Sequence, residues 1–214
     1  MSMYKLHMIN VGEMRTNCYI LSNEETKEAL VFDPGAEPER ILEFLKSKDL
    51  TVAAILLTHG HFDHIMGVDG LRRQERAKVY ACEAEKELMA DPDMNCAHMF
   101  HCEAAAEADV YVKDGQILSM IGLDIEVIHT PGHTSGGACY YMKDLKIVIT
   151  GDTLFFEAVG RCDLPTSNEA AIIESITKKL FVLPEDVVVY PGHGRSSSIG
   201  YEAQNNPYVL EEEY

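Results

Sequence analysis

Three histidines and one aspartate stand within six residues of this chain, at His59, His61, Asp63 and His64. They follow the apolar run Val52–Leu57, which predicts a buried strand with the polar residues on the loop at its carboxyl end. Imidazole nitrogens and carboxylate oxygens are ligands that borderline-soft divalent metals prefer. Four such ligands are too many for one tetrahedral zinc ion with an open position, so the pattern also raises the question of a second metal.

Three later segments repeat this arrangement of an apolar strand followed by a histidine or an aspartate among glycines. They place His133, Asp152 and His193 just after apolar runs. Glycine beside a ligand lets the backbone come close to an ion, and a strand end holds a side chain more firmly than a free loop does. One Pro-Gly-His segment is more often a turn than a ligand site, but four such loops in one chain favour a shared site.

Length and charge limit the classes of function. A chain of 214 residues with 46% hydrophobic and 25% charged residues matches an ordinary globular protein with a sizeable core. We predict a single domain over residues 1–214, because the sequence contains neither a Gly/Ser/Pro linker nor a clean repeat. The net charge of -17, without a large Lys/Arg cluster, argues against nucleic acid or a membrane surface as a partner.

The location of the protein is predicted from what the sequence lacks. It shows no signal-peptide pattern and no run of 18 apolar residues. Its six cysteines are scattered, without a C-x-x-C pair, which favours reduced thiols over a disulfide framework. We therefore expect a cytoplasmic protein.

Strand and helix patterns alternate along the chain. We predict strands over Met3–Val11, Cys18–Leu21, Ala29–Phe32, Val52–Leu57, Lys78–Tyr80, Asp124–His129, Ala138–Met142, Lys146–Thr150 and Val187–Tyr190. We predict helices from Pro38 to near Asp49, over Ile65–Gln74 with Asp63 near the start, over Glu83–Met89, and over Asn168–Leu180 with Asn168 as N-cap. The stretch Asp91–Glu107 is expected to be a long loop or broken helix that covers a substrate, with an irregular surface connection as the alternative.

The ordered ligand set resembles that of the metallo-β-lactamase superfamily of hydrolases. The segments Thr130–Gly137 and Gly151–Phe156 further resemble the glyoxalase II-like branch, and Asn206–Tyr208 after the last ligand is similar to its small single-domain members. The resemblance covers nearly the whole chain. It implies an α/β fold, a four-layer αββα sandwich with the metals at one edge of its two sheets.

The resemblance also implies two divalent metal ions, most simply zinc, with iron or a mixed Zn/Fe pair as alternatives. Carried over by motif position, the ligands form two sets that share one bridging carboxylate: His59, His61 and His133 for one ion, Asp63, His64 and His193 for the other, and Asp152 for both. A hydroxide between the ions would be the nucleophile. Asp63 would also be catalytic by orienting it.

Thioester chemistry is the function that the resemblance favours, with a small-molecule substrate of the hydroxyacyl-thiol type. Arg161 occupies the place of a basic residue that contacts the thiol carrier in the family, and a structural salt bridge is the alternative. Only 21 residues follow His193, so the helical domain that binds glutathione in glyoxalase II is not expected, which leaves the carrier open. The acyl group and the oligomeric state also stay open.

Other functions share these ligands. A mononuclear-iron persulfide dioxygenase would use only His59, His133 and Asp152, although its sequence differs from the present one over Gly160–Pro165. A lactonase would use the whole set, and a metal-binding protein without catalysis is a further alternative. The common zinc β-lactamases are disfavoured because they place a cysteine where Asp152 stands. Of the remaining residues, we expect His7 and His129 to be structural, Cys162 to be inert, and no direct role for His98 and His101.

Overall fold

Two six-stranded sheets pack face to face in the computed structural model, which describes residues 3–210. The first sheet consists, in chain and spatial order, of β1 (Tyr4–Val11), β2 (Thr16–Asn23), β3 (Glu28–Phe32), β4 (Thr51–Leu56), β5 (Lys78–Cys82) and β6 (Val110–Val112). The second contains β7 (Ile117–Met120), β8 (Leu123–His129), β9 (Ala138–Met142), β10 (Ile147–Gly151), β13 (Val188–Pro191) and β14 (Ser197–Ser198), in the order β14-β13-β10-β9-β8-β7. A small hairpin, β11 (Leu154–Phe155) and β12 (Ala158–Val159), lies between β10 and β13 in the chain.

Helices cover the outer faces of both sheets. They are α1 (Pro38–Ser47), α2 (Phe62–Ile65), α3 (Val68–Glu75), α4 (Lys86–Ala90), α5 (Glu169–Ser175), α6 (Ile199–Asn205) and α7 (Pro207–Leu210), and a π-helical turn, Ile176–Leu180, extends α5. The predicted N-cap is confirmed, because Asn168 Oδ1 accepts a hydrogen bond from Ala171 N at 2.9 Å. No helix in residues 3–210 combines the length and the apolarity that a membrane span requires.

Successive side chains along each strand point to opposite faces of its sheet, and this alternation produces the layers of the fold. In β2, which is buried on both faces, Ile20 points to the helices while Tyr19 and Leu21 point to the second sheet. The apolar residues accordingly form three clusters, one between helices and the first sheet, one between the sheets, and one between the second sheet and its helices. This is the four-layer αββα sandwich that the sequence predicts.

The prediction of one helix over Ile65–Gln74 is wrong. The structure has α2 and α3 instead, separated at Gly67. Gly67 N donates to Pro34 O at 2.8 Å, and a Cβ at position 67 would lie 2.5 Å from that oxygen. The helix therefore breaks where the chain passes the turn after β3, a contact that local periodicity does not reveal.

The predicted loop over Asp91–Glu107 is confirmed, with one 3₁₀ turn at His98–Phe100. The buried side chain of Asn95 organises it, because Nδ2 donates to Ala104 O at 2.8 Å. Asn95 O also accepts a hydrogen bond of 3.0 Å from Phe62 N, at the start of α2. The loop is thus fastened to the segment that carries the predicted ligands. That it covers a substrate stays a prediction.

Candidate metal centre

Strands from both sheets end at one edge of the sandwich, and the predicted ligands lie there. Their places are His59 and His61 after β4, Asp63 and His64 on the adjoining α2, His133 after β8, Asp152 after β10 and His193 after β13. Because β10 and β13 are parallel neighbours, their carboxyl ends bring the last two ligand loops together. The structure gathers all seven side chains into three overlapping groups that could each hold a metal ion, and the group of His59, His64 and Asp152 connects the other two.

The first ligand group consists of His59, His61 and His133, whose donor atoms lie within 4.8 Å of one another. All three side chains are buried, and His61 Nδ1 lies 2.9 Å from His133 Nε2. Burial, and then the neighbouring imidazoles, lower the pKa of His61 to about 3 and the pKa of His59 well below its usual value. Both rings are therefore neutral at pH 7, which is the form that binds metal ions.

The second ligand group consists of Asp63, His64 and His193, and it is more acidic than the first. Asp63 Oδ2 lies 3.2 Å from His193 Nε2 and 3.6 Å from His64 Nε2. Burial alone would lower the pKa of His64, but the carboxylates of Asp63 and Asp152 outweigh it and raise that pKa to about 10. Burial also opposes protonation of His193, and the same two carboxylates nevertheless raise its pKa.

Asp152 lies between the two groups. Its Oδ1 is 3.4 Å from His64 Nε2, and its Oδ2 is 3.6 Å from both His133 Nε2 and His193 Nε2. The close approach depends on Gly192, where a Cβ would overlap Asp152 Oδ1 and lie 2.8 Å from His64 Cε1. The carboxylate therefore occupies the position expected of a bridging ligand.

Unpaired buried atoms test whether this centre suits metal ions. Five buried side-chain nitrogen or oxygen atoms in residues 3–210 have no hydrogen-bond partner, and four of them are His59 Nε2, His61 Nε2, His64 Nε2 and Asp152 Oδ1. Leaving a buried polar atom unpaired costs about 1–3 kcal/mol. Because all four carry lone pairs of the kind that divalent metals bind, the residues present fit the implied pair of ions.

A buried carboxylate outside the predicted ligand set orients the second group. Asp33 accepts hydrogen bonds from Thr58 N at 2.7 Å and Thr58 Oγ1 at 2.6 Å, and its Oδ2 lies 3.0 Å from His64 Nδ1. With Nδ1–H donating to Asp33, His64 directs Nε2 to the centre, where a metal ion would replace the second proton of the ring. Asp33 directly follows strand β3, so the strand-end pattern that revealed the ligands also applies to it.

A second carboxylate missed from the sequence supports the first group. Glu85 is 1% exposed and accepts hydrogen bonds from Gly60 N at 2.8 Å, Gly136 N at 2.7 Å and Thr134 Oγ1 at 2.6 Å. Burial raises the pKa of Glu85, and these three donors oppose that rise. The side chain joins the loop that carries His59 and His61 to the loop that carries His133. No local pattern singles it out among the charged residues around it.

Arg161 contributes through its backbone. His133 Nδ1 donates to Arg161 O at 2.9 Å, which leaves Nε2 facing the centre. The guanidinium is 56% exposed and pairs with both carboxylate oxygens of Asp163, at 2.6 and 2.7 Å. The salt bridge that the sequence left as an alternative is therefore present, and contact with a substrate stays a prediction.

The remaining histidines lie outside both groups. His129 bonds to a backbone carbonyl, His98 lies between acidic side chains at the surface, and His7 packs against an aromatic ring. Burial raises the pKa of Cys162, which fits an inert thiol. His101 differs from the others, because it lines a cleft next to Asp63.

The family model of the metallo-beta-lactamase superfamily matches residues 11–193. The chain belongs to the metallo-β-lactamase superfamily. This confirms the resemblance and the fold read from the ligand motif.

Three similar proteins refine this membership. Hydroxyacylglutathione hydrolase GloC of Haemophilus influenzae is 30% identical over 207 residues, covering 95% of this chain and 97% of its own, which fits the glyoxalase II-like branch. The crystal structure of the BLEG-1 B3 metallo-beta-lactamase has a TM-score of 0.91 and 36% identity, covering 96% of this chain and 99% of its own. TTHA1623 in a di-iron-bound form has a TM-score of 0.83 and 32% identity, with coverages of 94% and 99%.

Proposed function

We propose that this superfamily member is a metal-dependent hydrolase that cleaves a small-molecule thioester of the hydroxyacyl-thiol type. The observation that carries the proposal is the assembly of two ligand groups around one carboxylate, with four buried donor atoms lacking a partner in residues 3–210. One ion would be held by His59, His61 and His133, the other by Asp63, His64 and His193, and Asp152 would contact both. Two such ions supply Lewis acidity, which activates water at neutral pH and polarises a carbonyl group.

Asp63 is the carboxylate that we place against the reacting atoms. Its Oδ2 accepts a hydrogen bond of 2.8 Å from Thr16 Oγ1, which fixes its orientation. Burial favours the neutral acid, but His64 and His193 hold the pKa of Asp63 well below its usual range. The group is therefore an ionised acceptor at neutral pH, and we assign it the role of orienting the attacking water.

Similarity to GloC supports the thioester, because a hydroxyacylglutathione contains that bond. Zinc is the metal that we propose, since it suits a site of nitrogen and oxygen donors with open positions. The di-iron form of TTHA1623 is the reason to test iron and mixed occupancy alongside zinc.

β-Lactam hydrolysis is a second candidate. The similarity to BLEG-1, named as a B3 metallo-beta-lactamase, favours it. Attack of water on a strained amide would use the same ligands and the same carboxylate. The sequence disfavours β-lactam hydrolysis because position 152 is not a cysteine. A β-lactam is nevertheless included among the substrates tested.

A parallel substrate screen tests the proposal. Protein loaded with zinc, with iron or with both is assayed on a hydroxyacyl thioester, a lactone, a β-lactam and a persulfide, and metal content is measured on the same samples. We expect about two ions per chain and fastest turnover of the thioester. One iron per chain with oxygen uptake on the persulfide would contradict it, and would leave His59, His133 and Asp152 as the ligands.

Replacing the shared carboxylate provides the mutational test. In Asp152→Ala we expect turnover and the second ion to be lost together, because the ligand that contacts both groups is gone. Asp144→Ala, at an exposed site outside the centre, is the matched control. Wild-type turnover by Asp152→Ala would remove the bridging role.

A further inference from the structure

A cleft of about 390 Å³ opens beside the metal centre, and Asp63 forms part of its wall. Four segments line it: the β1–β2 turn contributes Met14, the turn after β3 contributes Ala36, α2 and the residue after it contribute Phe62 and Met66, and the 91–107 loop contributes Phe100. Its volume falls within the range of roughly 300–1,000 Å³ that is usual for small-molecule sites.

The walls of the cleft are apolar and open to solvent. Met14 and Met66 are each 43% exposed and Phe100 is 44% exposed, while Phe62 is buried and stacks on Phe100 with ring centres 4.8 Å apart. Large apolar side chains that converge on one concave surface mark a binding site, whereas isolated ones need no explanation. The two methionines are flexible and can adapt to ligands of different shape.

The charge of the cleft limits what it binds. Among the described residues that line it there is no lysine or arginine, its acidic side chains are Glu13 and Asp63, and His101 is its one imidazole. A thiol carrier such as glutathione bears carboxylates, which this wall would repel. Arg161 is separated from the cleft and already engaged by Asp163. The part of a thioester that suits the cleft is therefore uncharged.

We infer that the cleft binds an uncharged, apolar acyl group, so that the substrates are thioesters whose acyl part extends from the carbonyl as an apolar chain or ring. This assignment of the substrate class rests on the proposed thioester hydrolysis. The apolar surface holds the acyl chain, and Asp63 at the end of the cleft faces the reacting carbonyl.

A chain-length series tests the inference by kinetics. Acetyl, butanoyl and hexanoyl thioesters of one uncharged thiol, N-acetylcysteamine, keep the carrier constant. Full burial of a methylene is worth about fourfold in kcat/KM, so half-burial in an open cleft gives about twofold per methylene and about sixteenfold from acetyl to hexanoyl. A flat series, or one that falls with length, would overturn the assignment.

Methyl NMR tests the cleft without relying on turnover. Zinc-loaded protein labelled at the methionine methyls is titrated with hexanamide and, in parallel, with acetamide. We expect hexanamide to shift the methyl signals of Met14 and Met66 but not that of Met142, which is buried between the sheets. If no thioester is hydrolysed but these signals shift, the proposed function fails and the cleft assignment stands. If thioesters are hydrolysed and the signals do not shift, the cleft assignment fails alone.

A matched pair of charge substitutions completes the test. Met66→Glu places a carboxylate at the cleft, and we expect the hexanoyl-to-acetyl ratio of kcat/KM to fall from about sixteen to near one. Met8→Glu makes the same change at a methionine 51% exposed on β1, outside the cleft, and should keep the wild-type ratio. A ratio unchanged by Met66→Glu would contradict the inference.

Discussion

The two ligand groups of the candidate metal centre differ in how their surroundings shift the pKa values of their histidines. His59, His61 and His133 form a buried cluster of imidazoles in which burial and neighbouring rings depress the pKa values of the first two. In the other group, carboxylates raise the pKa values of both His64 and His193. His59 and His61 therefore offer neutral donors at pH 7, whereas at His64 a metal ion must displace a proton.

Separate carboxylates support the two groups. Glu85 ties together the loops of the first group, and Asp33 orients His64 in the second. Asp152 is the side chain that contacts both. The comparison teaches that different carboxylates support the two groups, which meet at Asp152 and at the contact of His59 with His64. A change at one support should therefore disturb its own group more than the other.

The largest effect is expected where the two groups meet. In Gly192→Ala, the new Cβ would overlap Asp152 and crowd His64, so the bridge and the second group are both displaced. We expect the second ion to be lost and kcat/KM to fall about 100-fold, as a displacement of roughly 1 Å at reacting groups does. Metal analysis and steady-state kinetics measure this.

Gly115→Ala is the control for that substitution. Gly115 differs from Gly192 in having a positive φ of 71°, and no atom lies within 4 Å of a Cβ built there. We expect a stability loss of about 1–2 kcal/mol with both ions kept. If Gly192→Ala bound two ions and turned over normally, the close packing at the bridge would be unimportant.

A smaller and more selective effect is expected from Glu85→Gln. The amide of glutamine would face backbone N–H groups where the carboxylate accepted hydrogen bonds, so the two loops of the first group separate. Affinity for the first ion should fall about 10–100-fold, as it does when second-sphere partners of a metal site are changed. Chelator competition measures the affinities, and Glu87→Gln, at an exposed position of α4 just after Glu85, is the control.

Asp33→Asn is the reciprocal substitution and belongs to the same prediction. It weakens the direct contact with His64, so it should lower affinity for the second ion more than for the first, which Asp33 reaches only through Thr58 and His59. Anomalous diffraction from crystals held at buffered zinc concentrations identifies which position loses occupancy in each variant. Equal loss at both positions in either variant would show that the two groups do not have separate supports.

The smallest expected effects are pH-dependent changes in the free energy of unfolding of the metal-free protein. The pKa of His61 is lowered from 6.5 in the unfolded chain to about 3 in the folded protein. Between these pH values the unfolded chain binds a proton that the folded protein does not bind, so the free energy of unfolding falls as pH drops from 6.5 towards 3. The pKa of His64 is raised to about 10, so its contribution is complete below 6.5 and is lost as pH rises towards 10. Denaturant unfolding at pH 5, 7 and 9 measures the loss of stability on the acid and the alkaline side of neutral pH.

Two variants separate the acid from the alkaline loss of stability. In His61→Ala, the loss of stability at acid pH should become smaller while the loss at alkaline pH remains. In His64→Ala, the loss of stability at alkaline pH should become smaller while the loss at acid pH remains. A stability curve that changes equally on both sides in both variants would contradict the electrostatic difference between the groups.

The positions of the candidate ligands in the fold were accessible from the sequence because strand ends place side chains reproducibly. Apolar runs followed by His or Asp among glycines marked the four ligand loops, and the order of the ligands indicated the family and its layered fold. Asp33 also directly follows a strand, β3, but it was not among the predicted ligands.

Other features depend on contacts that are distant in the sequence. Glu85 binds groups 25 and 51 positions away, and Gly67 interrupts a helix because it meets Pro34. Neither contact leaves a local pattern. Short strands such as β6 and β14, three and two residues long, contain too few alternations to be recognised.

Anomalous diffraction from crystals of the zinc-loaded protein tests the central claim most directly. Two peaks are predicted, one among His59, His61 and His133 and one among Asp63, His64 and His193, with Asp152 between them. A single peak at full zinc loading, or a peak outside these groups, would contradict a two-ion centre joined by Asp152.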